Sequence, residues 1–168
     1  YLGESANQSL TWNWDNTLTY NTTLGSAHRL TLLAGTSAQE NSFSFINGSI
    51  QEFASDVTQQ LDNGLSQKEI GGNGSEWSLM SYMGRANYSY MDKYLVTATI
   101  RRDGSSRFGT NNKWGIFPSG SLAWRMTEEA FMQNVDFLDY LKLRVGYGVT
   151  GNQEIGNYSF ASALTTIK

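Results

Sequence analysis

Long runs of period-two alternation constrain this chain more than any other feature. From about Ser9 to Tyr20, Leu10, Trp12, Trp14, Leu18 and Tyr20 fall on one side, and Thr11, Asn13, Asp15, Thr17 and Thr19 on the other. Side chains alternate in direction only along a strand, so such a pattern describes a strand with two unlike faces. The pattern recurs at about Trp77–Tyr90, Tyr94–Arg101, Trp114–Met126 and Leu141–Val149, and less cleanly at His28–Ala38, where Leu33 sits opposite Leu30, Leu32 and Ala34. Asn157–Thr165 has the look of a seventh strand beginning. Most of these runs are roughly 11–14 residues long, where soluble sheets use ~5–6 and a strand crossing a bilayer at a tilt needs ~9–11.

The connections fall into two populations. Tight turns are expected at Gly25-Ser26 and Met91-Asp92-Lys93, and a longer Gly/Ser/Asn-rich loop at Asp103–Asn112. From Gln39 to about Glu76 the alternation dissolves among Asn47-Gly48, Asn63-Gly64 and Gly71-Gly72-Asn73-Gly74, which predicts one long loop. A short helix is expected within it, over Gln51–Leu61. Thr127-Glu128-Glu129-Ala130 predicts a second brief helix, capped by Thr127 and ending near Asn134. Pro118 falls inside a strand and would remove a ladder donor, so a bulge is expected around Phe117-Pro118-Ser119. Short turns on one side and long loops on the other are the plan of an outer-membrane barrel.

The aromatic residues cluster at strand ends: Tyr20, Tyr88, Tyr90 and Tyr94 beside the tight turns, Trp77 and Trp114 at the loop ends, and Trp124 near the helical turn. Smaller apolar residues such as Ala86, Val96, Ala98, Ile116 and Leu122 lie between them. That is the girdle arrangement of a membrane barrel, although a soluble core also collects aromatics. The opposite face carries Arg85, Arg101, Lys142 and Arg144 among hydroxyls and amides, suited to a wet lumen or to a solvated surface. The mean hydropathy of -0.41 fits either setting, because alternating faces keep a barrel's average low.

Other chemistries find little support. The formal net charge is -3, which offers no basic footprint for nucleic acid. Cysteine is absent, so thiol catalysis, disulfides and zinc-thiolate sites are excluded. His28 is the one histidine, without a nucleophile elbow, and reads as a strand-end residue. Gly71-Gly72-Asn73-Gly74 lacks the Lys-Ser/Thr of a phosphate loop and reads as a surface loop. Glu128 and Glu129 would diverge on a helix and suit its N-terminus electrostatically. The Asn-x-Ser/Thr triplets at Asn7, Asn21, Asn47, Asn73, Asn87 and Asn157 are what chance supplies in this composition. In Arg101-Arg102-Asp103-Gly104 with Arg107, the arginines could grip a substrate, but tying the loop through Asp103 and backbone carbonyls is the favoured reading. Phe43, Phe45, Ile46 and Phe53 could stack on sugars, contact a lid protein or pack the loop on itself. No catalytic, cofactor or metal residue is assigned, and no enzyme activity or cofactor is expected.

Several ordered motifs resemble the SusC/RagA-type TonB-dependent transporters. They are Arg85-Ala86-Asn87-Tyr88, Asp92-Lys93-Tyr94-Leu95, Arg101 through Gly109, Trp114 through Ser119, Ala123-Trp124-Arg125, Leu141 through Val145, and Gly148 through Gln153. The resemblance covers about Trp77–Tyr158 strongly and the earlier part weakly. It implies an all-β antiparallel up-and-down meander, part of a transmembrane barrel of ~22 strands with a plugged lumen. It also implies import of oligosaccharides or peptides across the bacterial outer membrane. The partners would be membrane lipid, TonB and a SusD-like surface lipoprotein. On this reading residues 1–168 are a partial barrel domain, an internal piece without plug or signal segment. The competing reading is a soluble β-sandwich carbohydrate-binding module, in which two sheets would enclose the apolar face.

Overall fold

The computed structural model describes residues 1–53, 60–132, 135 and 137–159, and the side chains of all of these except Ser66 and Gln67. Six strands dominate: β1 (Leu2–Leu24), β2 (His28–Phe53), β3 (Gly64–Tyr90), β4 (Tyr94–Ser105), β5 (Trp114–Arg125) and β6 (Lys142–Gly148). They form one sheet in sequential order, β1-β2-β3-β4-β5-β6. The pairs β3–β4, β4–β5 and β5–β6 are antiparallel. This is the expected meander, with no second sheet among the described strands to enclose an apolar face.

The chain divides into two compact units. One comprises Tyr1–Asn13 and Gln39–Ser78, the other Trp14–Ala38 and Leu79–Lys168.

In the first unit the expected long loop is replaced by strand. β2 runs on to Phe53 and β3 starts at Gly64. Most of the glycines that suggested a loop lie within β3, close against β2. A side-chain carbon at Gly72 would come 2.9 Å from the Phe45 carbonyl oxygen, and one at Gly71 2.8 Å from Asn47 Oδ1. A side chain at Gly64 would collide with Ile50, which at 1% exposure is the one buried hydrophobic residue among those described. Glycine here serves close approach rather than turning. Asn41 Nδ2 donates to Thr11 Oγ1 at 2.8 Å, adding a side-chain tie within the unit. The short helix expected over 51–61 does not form where it can be seen. Gln51–Phe53 is strand, the end of the segment turns, and residues 54–59 lie outside the described part.

In the second unit the register sorts side chains by face, because paired residues share a side of the sheet. Tyr88, Val96, Leu122 and Val145 line up across four strands. So do Tyr90, Tyr94, Trp124 and Leu143. On the reverse side Asn87 pairs with Thr97, Thr97 with Ser121, and Arg85 with Thr99. The apolar face stays open: Leu122 is 62% and Val145 65% exposed.

Two further expectations are corrected. Pro118 causes no bulge, since the register runs unbroken from Ser119 opposite Thr99 through Pro118 opposite Ile100 to Phe117 opposite Arg101. Its carbonyl accepts from Val149 N at 2.9 Å, so its missing donor points toward β6, one residue beyond the end of that strand. The proline thus costs the β4–β5 ladder nothing. The brief helix after β5 is instead two 3-10 turns, Met126–Glu128 and Ala130–Met132. Thr127 does not cap them; Arg125 holds the cap position and makes no side-chain capping bond. The expected end at Asn134 lies outside the described residues. In the seventh strand expected over 157–165, residues 157–159 form a turn and the remainder lies outside the described residues.

Candidate functional site

The polar face of the second unit is a lattice of small hydroxyls and amides crossed by arginines. Arg85 Nε donates to Thr99 Oγ1 at 3.2 Å, and Thr97 Oγ1 donates to Asn87 Oδ1 at 3.0 Å. Arg144 Nη2 donates to Ser121 Oγ at 3.3 Å. Each guanidinium keeps most of its donors free of the bonds named here. Such a face suits water or a polar partner and is ill suited to a dry core.

At the loop ends of β4 and β5 this face deepens into a cavity of about 290 Å³, lined among others by Arg101, Asp103, Phe108, Phe117, Asn152 and Gln153. The sequence motifs 101–109, 114–119 and 148–153 converge here. Arg101 Nε grips Asp103 at 2.7 and 2.9 Å while its Nη2 donates to Ser81 Oγ at 3.2 Å. Arg107 ties to a backbone carbonyl, as expected, and to side chains beside it. It donates to Gln153 O at 3.1 Å, to Glu154 Oε2 at 3.2 Å and to Asn157 Oδ1 at 3.0 Å. It therefore fastens the loop after β6, which folds so that Gly151 lies directly on the Phe117 ring. Any side chain at position 151 would overlap that ring. The favoured structural reading of these arginines stands, Arg101 tying through Asp103 and Arg107 through the Gln153 carbonyl. Gln153 Oε1 is buried and finds no hydrogen-bond partner among the described residues.

The apolar face is closed at each end by aromatic residues. At the turn end Tyr90, Tyr94 and Trp124 stack in a row, with centroids 6.3 and 6.5 Å apart. Half-buried Glu129 gathers this row: it accepts from Tyr94 Oη at 2.7 Å, Trp124 Nε1 at 3.0 Å and Lys93 Nζ at 3.2 Å. These bonds, Tyr94's first and Trp124's second, hold its carboxyl below the usual range, with a smaller contribution from Lys93 and burial pulling the other way. Glu129 thus serves as an anchor, where sequence reasoning placed it at a helix start. His28, at the start of β2, hydrogen-bonds Tyr88 Oη through Nδ1 at 2.6 Å and lies 4.9 Å from the Tyr90 ring. That fits its reading as a strand-end residue.

At the loop end Tyr82 stacks on Trp114 at 6.1 Å, and the Arg102 guanidinium sits 4.6 Å above the Trp114 ring. Sequence reasoning assigned Arg102 no face of its own. The signal was present, since Arg102 shares parity with Tyr94, Val96, Ala98 and Ile100. The glycine-rich segment 71–74 and Phe43 and Phe45, whose rings lie 6.3 Å apart, belong to strands and not to a free loop.

The chain matches no family profile. It is 40% identical over 94% of its length to TonB-dependent receptor P26 of Formosa agariphila, of which it spans 17%. It is 54% identical over 48% of its length to TonB-dependent receptor SusC of Bacteroides thetaiotaomicron, spanning 8% of that protein. Its fold superposes on the RagAB peptide transporter with a TM-score of 0.92 at 31% identity, covering 99% of this chain and 19% of that one. A RagAB peptide importer in the open-open state gives 0.87 at 32% identity. The chain thus spans less than a fifth of the proteins it matches, and these are receptors and transporters, not enzymes. The single sheet, its open apolar face and these relatives agree: the chain belongs, as a stretch of barrel wall, to the SusC/RagA-type TonB-dependent receptors.

Proposed function

We propose that this segment builds part of an outer-membrane barrel that imports oligosaccharides or peptides, driven through TonB and served by a SusD-like surface lipoprotein. The observation that carries the membrane reading is the open apolar face bracketed by aromatics. Trp114 and Trp124 stand ten residues apart on β5. At a rise of ~3.3 Å per residue that is about 33 Å of strand. A tilt of about 40° projects it to about 25 Å, the height of a barrel's lipid-facing band. The tight turns would then face the periplasm, and the polar face with Arg85, Arg101 and Arg144 would meet water, plug or passing substrate.

The RagAB structures, which are of a peptide importer, support the peptide class, and the oligosaccharide class rests on the sequence resemblance alone. Uptake in cells carrying the full-length receptor tests the proposal. Labelled oligosaccharide and peptide pools are offered to cells with and without functional TonB. Accumulation of at least one pool, collapsing without TonB, is the expected result. Accumulation of neither, or uptake indifferent to TonB, overturns the proposed transport role.

A further inference from the structure

We propose that Arg102, with Trp114 and Tyr82, forms a contact for the phosphate group of a lipid headgroup in the leaflet on the loop side. The inference rests on the membrane reading above and adds to it a ligand chemistry and a residue.

Arg102 lies on the wrong face for a lumen arginine. It pairs with Tyr82 on β3 and Ile116 on β5, both on the apolar side, while its neighbours Arg101 and Asp103 face the other way and bind each other. Both flanking strands belong to the described sheet, so no further strand of the barrel can come between Arg102 and what surrounds it. Its side chain is exposed. Among the described residues no carboxylate forms an ion pair with it. A charge on a lipid-facing surface with no counter-ion is costly unless it reaches the interface.

The geometry shows that it reaches. Trp114 pairs with Gly104, one pleat closer to the loop end than Arg102, so a guanidinium lying over its ring has bent toward that end. This is the snorkelling posture of a long cationic side chain. Gly104 makes the posture possible. A side-chain carbon there would stand 2.7 Å from the indole, so only glycine leaves room for the ring in contact with Tyr82 and Arg102. Packed over the ring, the guanidinium keeps its N–H donors free of hydrogen bonds among the described residues. A planar fork held by an aromatic is suited to phosphate oxygens.

The test uses the full-length receptor in neutral phosphatidylcholine vesicles doped with a monophosphorylated lipid A-type glycolipid or with its dephosphorylated counterpart. Co-purifying glycolipid is quantified by native mass spectrometry, and membrane insertion is followed separately by heat-modifiable migration. The wild type is expected to retain the phosphorylated lipid about fivefold better, the attraction of one cationic side chain to an anionic headgroup. Arg102→Gln should abolish the preference and Arg102→Lys should keep a reduced one, while Arg85→Gln on the polar face should leave it intact. Equal retention of the two lipids by inserted wild type, or a preference unchanged in Arg102→Gln, overturns the proposal. Displacement of the glycolipid by excess inorganic phosphate overturns it in favour of a free-anion site. Should Arg102→Gln fail to insert, the wild-type lipid pair and Arg102→Lys decide. A wild type that does not insert would instead fell the membrane reading, through a separate readout.

Discussion

The two ends of the strands that make up the second unit carry the same kinds of ring but fasten them differently. At the turn end one carboxylate, Glu129, binds a tyrosine hydroxyl, an indole N–H and an ammonium, so the polar groups of the aromatic row satisfy each other. Phe131 then closes the row edge-on against Trp124 at 6.3 Å. At the loop end the rings are held by stacking and by the Arg102 cation, without a carboxylate partner among the described residues. One end is an electrostatically closed unit that needs nothing from its surroundings. The other exposes a net positive charge and depends on what lies beside it. A barrel wall meets different environments at its two ends, and this one carries a different device at each.

The sharpest way to break the comparison is to attack the band that the two ends enclose. Leu122 and Ser121 are neighbours on β5 and point to opposite faces. Leu122→Arg in the intact receptor should destabilise the barrel by roughly 2–4 kcal/mol if that face meets lipid near mid-membrane. Ser121→Arg places the same charge beside Thr97 and Gly146 on the polar face and should cost much less. Urea-unfolding curves in lipid vesicles measure both costs. A lipid-soluble photoprobe should label position 122 and not 121. A folded receptor labelled at neither position would mean that the aromatic ends do not bracket a bilayer.

A smaller effect is expected from the loop end alone. Gly104→Val inserts methyl groups where the Trp114 indole lies, and such overpacking costs about 1–3 kcal/mol. Displacing the ring also strips Arg102 of its platform. Gly120→Val is the control, because that glycine on the same face has only a backbone oxygen nearby, at 3.5 Å. Equal losses from the two substitutions would show that the fit of Trp114 over Gly104 contributes nothing.

Most of the second unit was legible in the sequence, and the reason is physical. Alternation over Tyr94–Ile100, Trp114–Trp124 and Leu141–Val149 implies parity, and parity with tight turns implies pairing. Most of the first unit beyond Ser9–Asn13 was not legible, because Gly71, Gly72 and Gly74 are spent on approach to β2 and look in sequence like turning residues. Pro118 misled for a related reason. Whether a proline harms a sheet depends on which neighbour its nitrogen faces, and β6 stops one residue short of it. The loop-end cluster was visible as motifs but not as a place. The ties from Arg107 to Gln153 and Asn157 span 46 and 50 residues and form only once the hairpins align. Glu129 was missed likewise, since its partners Lys93 and Tyr94 belong to the hairpin before.

The subtlest separation of the two ends is by pH. Glu129 has its carboxyl held below the usual range by Tyr94 and Trp124, so the turn end is tighter when this group is ionised. The sign follows from that direction. A lowered folded pKa means stabilisation fully present above the ordinary carboxylate value of ~4.3 and lost as pH falls through the lowered value. The loop-end rings have no carboxylate partner among the described residues, so that end should not respond. Thermal unfolding of the intact receptor between neutral and strongly acidic pH, with and without Glu129→Gln, isolates the difference from the other carboxylates. The gap between the two proteins should be constant above the ordinary carboxylate range and close below it. Replacing Trp114 or Trp124 singly by Phe assigns the fluorescence. The Trp124 signal should shift on acidification in the wild type and not in Glu129→Gln, and the Trp114 signal should stay still in both. A Trp114 signal that moves with Trp124's would mean that the two ends titrate as one. A gap that persists at the lowest pH would mean that Glu129 holds the row through shape and not through charge.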